Sequence, residues 1–208
     1  MYEVAISAFI TMFVIIDPIG NVPIFMALTK GTEHRYQRAM AIKGTLVAFL
    51  VLAFFAWFGS DLLSLLGIGL PAFRIAGGIM LSFIAFEMVF ERRNPRKSKT
   101  AEDLNSVISP DDISVCPLAI PLLAGPGAIA SIMLLMSNYA GDTKSQMIIM
   151  GALACVLLAC MIMYMLGAII ERGIGDTISA VITRLLGIIL GALSVQFITD
   201  GLRATFLP

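Results

Sequence analysis

Asp17 and Asn21 are the side chains in this sequence best suited to hold a charged or dipolar solute inside a membrane. They come with Pro18, Gly20 and Pro23 in the stretch IIDPIGNVPIF, Ile15 to Phe25, in the middle of an apolar run from Val4 to Leu28. That run is long enough to cross a bilayer. An interior proline costs a helix about 3 kcal/mol, and a carboxylate near the bilayer centre costs roughly 2.5–3.5 kcal/mol on insertion scales. The physical inference is an interrupted membrane helix. Its freed backbone groups and its acid must be buried in protein or line a wet cavity, because lipid cannot satisfy them. Interrupted helices of this kind bind substrates in transporters.

Local rules predict the geometry of the interruption. Pro18 disfavours helical geometry at Asp17, so a first half-helix stops near Ile16. A second starts near Asn21, a good N-cap, with Pro23 tolerated in its first turn. A second interruption is expected at Gly125-Pro126-Gly127, with Pro117 and Pro121 loosening its entry. Each break exposes a helix C-terminus and a helix N-terminus, with partial charges of about half an elementary charge. Two N-termini meeting at mid-membrane suit an anion such as a carboxylate, held by Asn21 and the amides of Gly127, Ala128 and Ile129. The C-terminal carbonyls and Asp17 suit a cation, which is an ammonium group, a coupling proton or a sodium ion. A zwitterion carries both groups. The other reading of Asp17 is a carboxylate that caps or braces the kink and meets no ligand.

The elements that position these residues follow from composition. Of 208 residues, 59% are hydrophobic and 13% charged, with no net charge and a mean hydropathy of +0.94. This is an integral membrane protein, and a basic surface for nucleic acid is excluded. Six apolar runs of spanning length are predicted: Val4 to Leu28, Gly44 to Leu66, Pro71 to Phe90, Val115 to Met136, Met147 to Ile170 and Ile178 to Ile198. The first lacks a basic start and an A-x-A-like cleavage site, so it reads as a retained helix and not a signal peptide. Trp57 reads as an interfacial anchor, and Asp61 as part of a frayed last turn.

Positive charge alternates between the connections. Lys30, Arg35, Arg38 and Lys43 follow the first run, Arg92, Arg93, Arg96, Lys97 and Lys99 the third, and Arg172 the fifth. The opposite side holds only Lys144 and Arg203. The positive-inside rule therefore puts the first, third and fifth connections in the cytoplasm and both termini outside. The polar stretch Arg92 to Asp112, with Pro95 and Pro110, links two halves (1–91 and 113–208), and its basic cluster faces anionic lipid.

The halves resemble each other. FVIIDPIGNVPIFMAL (Phe13 to Leu28) lies over IPLLAGPGAIASIMLL (Ile120 to Leu135), with Gly20 over Gly127. Gly67-Ile68-Gly69 matches Gly173-Ile174-Gly175, and RIAGGIML from Arg74 matches RLLGIILG from Arg184. An odd number of spans per half requires the second copy to insert upside down, which predicts an all-α fold of six spans as two inverted three-helix repeats. The copies differ at the site: Asp17 and Asn21 fall over Ala124 and Ala128, so a single anionic pole is expected.

Other polar residues have plainer readings. Arg74 and Arg184 snorkel to the interface, or gate the site by pairing with Asp17 or a substrate carboxylate. Gly77, Gly78, Gly187 and Gly191 pack helices three and six close to the interrupted ones. Gln196 and Asp200 extend a pathway or mark its exit. Glu87, one turn before Glu91 and Arg92, belongs to the cytoplasmic interface. His34 is a solvated loop residue, with pH sensing as the alternative. Cys116, Cys155 and Cys160 lack the spacing for zinc or disulfides, and the methionines are packing residues.

With DPIGNVPIF in the first half and PLLAGPGAIA in the second, the chain resembles the MarC family of inner-membrane proteins, also called the neutral amino acid transporter family. The likeness covers essentially the whole chain. It implies a secondary transporter for glycine, alanine, serine or threonine, with the site formed by Asp17, Pro18, Gly20, Asn21 and Pro23 and by Gly125, Pro126 and Gly127. Coupling to protons or sodium is expected, with no other cofactor, and the GxxxG spacing permits a homo-oligomer. An enzyme is disfavoured, because the lone histidine lies in a loop and the intramembrane acids are solitary. A drug or metabolite exporter, or a passive pore, is the alternative.

Overall fold

The computed structural model describes residues 1–29, 32–90 and 122–206, without the side chains of 168–177. Seven helices make up the described chain: α1 (Tyr2–Ile16), α2 (Pro18–Leu28), α3 (His34–Leu65), α4 (Leu70–Val89), α5 (Pro126–Asn138), α6 (Thr143–Met165) and α7 (Gly167–Phe206). Five stretches are long and apolar enough to cross a bilayer: Tyr2–Leu28, His34–Leu65, Leu70–Val89, Thr143–Met165 and Ile178–Phe206. The fourth predicted run is represented by the shorter apolar α5, preceded by a π-helical turn at Leu122 and Leu123. Lys30, Glu91, the 92–112 linker, Cys116, Pro117 and Pro121 lie outside the described residues. So do the side chains of Arg172 and of the 173–175 motif.

Helix boundaries depart from the apolar runs where polar residues continue a helix. α3 starts at His34, ten residues before the predicted run, and carries Arg35, Arg38 and Lys43 on its opening turns. No glycine or proline separates His34 from Gly44, so nothing stops the helix on the polar side. Its 32 residues span about 48 Å at 1.5 Å per residue, well beyond a hydrocarbon core of about 30 Å. α7 likewise starts at Gly167, so Arg172 lies on a helix and not in a loop. The turn between α6 and α7 falls at Leu166, short of the predicted Ile170.

Packing runs across the two halves. The most extensive interface joins α4 to α7; α1 packs on α5, α6 and α7, α2 on α6 and α7, and α3 on α5 and α6. The core is therefore made where first-half helices meet second-half helices: Met12, Ile15 and Ile16 of α1, Phe25 of α2, Leu52 of α3 and Leu81 of α4 are buried with Ile132 of α5 and Leu153 of α6. The glycines of α4 and α7 serve mainly their mutual interface. A Cβ at Gly78 would lie 2.8 Å from the Ser194 carbonyl oxygen, and one at Gly187 would lie 2.8 Å from Met88 Cβ. Gly77 does face an interrupted helix, towards Ala130 and Leu134 of α5. Ser82 Oγ donates to Ser194 Oγ at 2.8 Å across the α4–α7 seam.

Two further close approaches repeat one another. A Cβ at Gly59 of α3 would meet Met133 of α5, and a Cβ at Gly167 of α7 would meet Met26 of α2. Met26 and Met133 occupy the same position in the aligned segments. Small residues here let a methionine of each interrupted helix lie flat on a neighbouring backbone, where the thioether fills the irregular gap.

Candidate functional site

The interruption of the first run is a single residue. Asp17 has φ 55° and ψ 67°, the one left-handed non-glycine among the described residues. Such a conformation costs of order 1–3 kcal/mol outside glycine, and Asp and Asn tolerate it best. Its amide donates to Phe13 O at 2.9 Å and closes α1, while its carbonyl accepts from Asn21 N at 3.1 Å and opens α2. Pro18 follows at the first helical position, where a missing N–H costs nothing.

Two side chains then fasten the ends together. Asp17 Oδ1 accepts the Gly20 amide at 3.1 Å and caps α2. Asn21 Nδ2 donates to Ile16 O at 2.7 Å, satisfying a carbonyl that the end of α1 would leave bare. Asp17 is 0% and Asn21 1% exposed. The N-cap of the second half-helix is thus Asp17, not Asn21, and α2 begins at Pro18. Asp17 takes that role because its left-handed backbone turns its carboxyl back onto the Gly20 amide. The earlier start moves Pro23 from the first turn into the helix proper, where it removes one i→i−4 hydrogen bond. Gly20 is needed on steric grounds, since a Cβ there would overlap the Asp17 carboxyl.

The chain at Gly125-Pro126-Gly127, where a second interruption is expected, is built differently. Ala124 and Gly125 lie between the turn at Leu122–Leu123 and α5, and Gly125 is the N-cap with φ −70° and ψ 167° and no side-chain cap. Pro126 stands at the first helical position, exposed, and Ala124, Gly127 and Ala128 are buried. Ile129 N already donates to Gly125 O at 3.0 Å. The amides left without an intrahelical partner in this turn are therefore those of Gly127 and Ala128, one fewer than the sequence suggested. A Cβ at Gly127 would lie 2.6 Å from Ile84 Cδ1 and 3.8 Å from Ile15 Cγ2. The start of α5 therefore sits against the last turn of α1, two residues from Asp17.

Tyr164 of α6 joins this group, and sequence reasoning missed it. Its ring stacks on Phe25 with centroids 4.6 Å apart and planes 12° apart. It is 2% exposed, and its hydroxyl lies near the Asn21 side chain, Asp17 and Cys160 without making a hydrogen bond to a described residue. The available signal was a tyrosine late in an otherwise apolar span, away from a predicted interface, where its hydroxyl needs a partner.

Other predicted residues lie elsewhere. Arg74 donates to Asn138 Oδ1 at the far end of α5. Asn138 is eleven residues from Gly127 along α5, about 16 Å at helical rise, so this arrangement does not bring Arg74 to Asp17. Arg184 is exposed on α7. Gln196 donates to Asp200 at 2.8 Å within α7. Glu87 is buried at 5% exposure, in the last turn of α4 on a face that packs inward. His34 is exposed at the start of α3, on a helix and not in a loop, with Nδ1 3.3 Å from Gln37 Oε1. Cys155 is exposed and Cys160 buried, both as free thiols.

A buried carboxyl and the amides of a neighbouring helix end can together receive a small solute with one positive and one negative group. At α2 the Gly20 amide is taken by Asp17 Oδ1 and the Asn21 amide by Asp17 O. At α5 both the Gly127 and the Ala128 amides lack an intrahelical partner, so an incoming anion is better received at α5.

Residues 2–206 match the sequence model of a family described as MarC family integral membrane protein. A UPF0056 membrane protein, YvbG, of Bacillus subtilis (strain 168) is 35% identical over 206 residues, which is 99% of this chain and 97% of the relative. A UPF0056 membrane protein of Aquifex aeolicus (strain VF5) is 34% identical over 198 residues, 95% of this chain and 92% of the relative. One from Archaeoglobus fulgidus is 35% identical over 198 residues, 94% and 91% of the two chains. No solved structure matches the chain.

Proposed function

This chain belongs to the MarC family of integral membrane proteins, and we propose that it is a secondary transporter of small neutral amino acids such as glycine, alanine, serine and threonine, working by alternating access. The observation that carries the reading is the fully buried Asp17 between two helix ends, two residues from a contact with the uncapped start of α5. Asp17 receives the substrate ammonium, or the coupling proton or sodium ion. The Gly127 and Ala128 amides receive the carboxylate. Asn21 orients the site through its bond to Ile16 O and through Tyr164, a role closer to bracing than to ligand binding.

The chain has two inverted three-helix repeats in this reading. Its support is the aligned segments and the matched contacts, Gly59 with Met133 and Gly167 with Met26. Interfaces that run between the halves let one half rock against the other around a fixed site. The charge pattern supports an inner-membrane location with both termini outside. Arg74 and Arg184 act as gates only in a state that moves them.

The test is uptake by the purified chain in proteoliposomes. Saturable, stereoselective uptake of L-alanine or L-serine, driven by a proton or sodium gradient, is expected. Flux that rises linearly with concentration and ignores stereochemistry would mean a pore.

A further inference from the structure

Away from the interruptions, a cavity of about 280 Å³ lies among the C-terminal part of α3, the end of α5 and the starts of α4 and α6. Its polar groups come from Ser60 and Ser64 of α3, Ser137 of α5 and Gln146 of α6, and Met133 and Trp57 are among its apolar walls. None of its lining residues is ionisable. A lone ion would find no counter-charge there, whereas a small zwitterion carries its own counter-charge a few bonds away and can exchange water for hydroxyls and an amide at both groups. The side chains of Ser60, Ser64 and Gln146 make no hydrogen bond to another described residue, so their capacity is available. The volume falls below the roughly 300–1,000 Å³ of pockets for drug-sized ligands. It fits a small metabolite better than a drug.

The opposite end of the chain supplies a second observation. Gln146 stands four residues after Asp142, the N-cap of α6, and Gln37 stands four residues after Glu33, the N-cap of α3. These are equivalent places in the two halves. At the first, Gln37 Nε2 donates to Thr29 O at 3.2 Å, tying the start of α3 to the end of α2, and Thr29 is fully buried. At the second, Gln146 borders open space beside Met136 and Ser137 at the end of α5. One end is latched and its counterpart is ajar.

We propose that this cavity is a vestibule that binds a small, net-neutral amino acid before it reaches Asp17, and that Gln146 closes over it in the way Gln37 closes over Thr29. The proposal rests on the transporter reading and goes beyond it by assigning a second solute site. By the charge pattern, that site opens to the outside.

The test uses the full chain carrying Ser64→Cys, or Gln146→Cys if the first variant does not insert, in proteoliposomes treated with a membrane-impermeant maleimide. The unsubstituted chain measures background from its own thiols. Uptake and labelling are followed in the same vesicles, with glycine, L-alanine, L-serine or L-threonine present. We expect labelling from the outer side, slowed several-fold by a transported amino acid, with the slowing retained when Asp17→Ala is added. Labelling that no transported amino acid slows would overturn the vestibule and leave transport standing. Slowing that disappears with Asp17→Ala would also overturn it, because the reagent would then report movement at the interruption and not occupancy. An absence of labelling at both positions would mean that water does not reach the cavity, and the vestibule would again be overturned. A chain that transports none of the four and is protected by none fails both readings.

Discussion

At Asp17 the chain passes from one helix to the next through a single left-handed residue, and the ends on either side are tied by Asp17 to Gly20 and by Asn21 to Ile16. At Gly125 the corresponding helix starts from an extended residue with no side-chain cap. Aligned sequence has thus produced one interruption whose helix ends are fastened by side chains and another that leaves two amides without a side-chain cap. The difference traces to two substitutions between the halves, Asp17 against Ala124 and Asn21 against Ala128. The acid sits on one side and the uncapped amides on the other, so in the proposed function a zwitterion binds in one orientation.

The strongest way to break this comparison is to remove its acid. Asp17→Ala should still insert and should lose uptake altogether, since it deletes the cap, the left-handed preference and the charge together. Asp17→Asn keeps the cap and the backbone preference. Hydrogen bonds to a charged group contribute about 1.5–3 kcal/mol, so kcat/KM for L-alanine should fall roughly 10- to 100-fold. Transport at the native rate by Asp17→Ala would show that the first interruption only braces the fold.

Alanine at equivalent glycines should sharpen the contrast. Gly20→Ala drives a methyl into a carboxyl pinned by its own hydrogen bond and should lower stability by about 1–3 kcal/mol, the usual range for overpacking. Gly127→Ala meets the tip of Ile84, a flexible side chain, and should cost less. Thermal unfolding in detergent ranks the two, and the reverse order would mean that the second interruption is the tighter one.

Tyr164→Phe keeps the stack on Phe25 and removes only the hydroxyl. That hydroxyl is buried with no hydrogen bond to a described residue, so its removal should leave the melting temperature unchanged. A bond gained only with solute bound, about 0.5–1.5 kcal/mol, should show as a KM raised roughly two- to tenfold. An unchanged KM would remove Tyr164 from the site. The smallest effect concerns the turn beyond α5. The Ser145 hydroxyl, then its amide, hold the Asp142 carboxyl below its ordinary value of 3.8. A group with a lowered folded value stabilises the fold above 3.8 and ceases to do so as pH falls through the lowered value. The difference in melting temperature between the native chain and Asp142→Ala should therefore be present at neutral pH and vanish in strong acid.

The position of the first interruption was legible in the sequence, because an apolar run of spanning length tolerates proline and a carboxylate only where its helix stops. That Asp17 ends one helix and caps the next was not. This double role depends on a positive φ, and the rule that placed Asn21 as N-cap assumes an extended residue before the helix. Tyr164 was illegible for a different reason: its hydroxyl meets Asn21 only because α6 packs on α2, a contact between residues far apart in the chain. The long polar start of α3 was missed because hydropathy marks where a helix is apolar and not where it ends. Arg74, matched with Arg184 by the repeat, found its partner in Asn138, just beyond the aligned segment.

The most direct measurement is the melting temperature of the purified chain against L-alanine concentration, in the native protein and in Asp17→Ala. A ligand that binds only the folded state adds about 2.7 kcal/mol at one hundred times its Kd, so the native curve should climb well above the variant's, in which only the vestibule is left to bind. Equal climbs in both would contradict a solute held at Asp17.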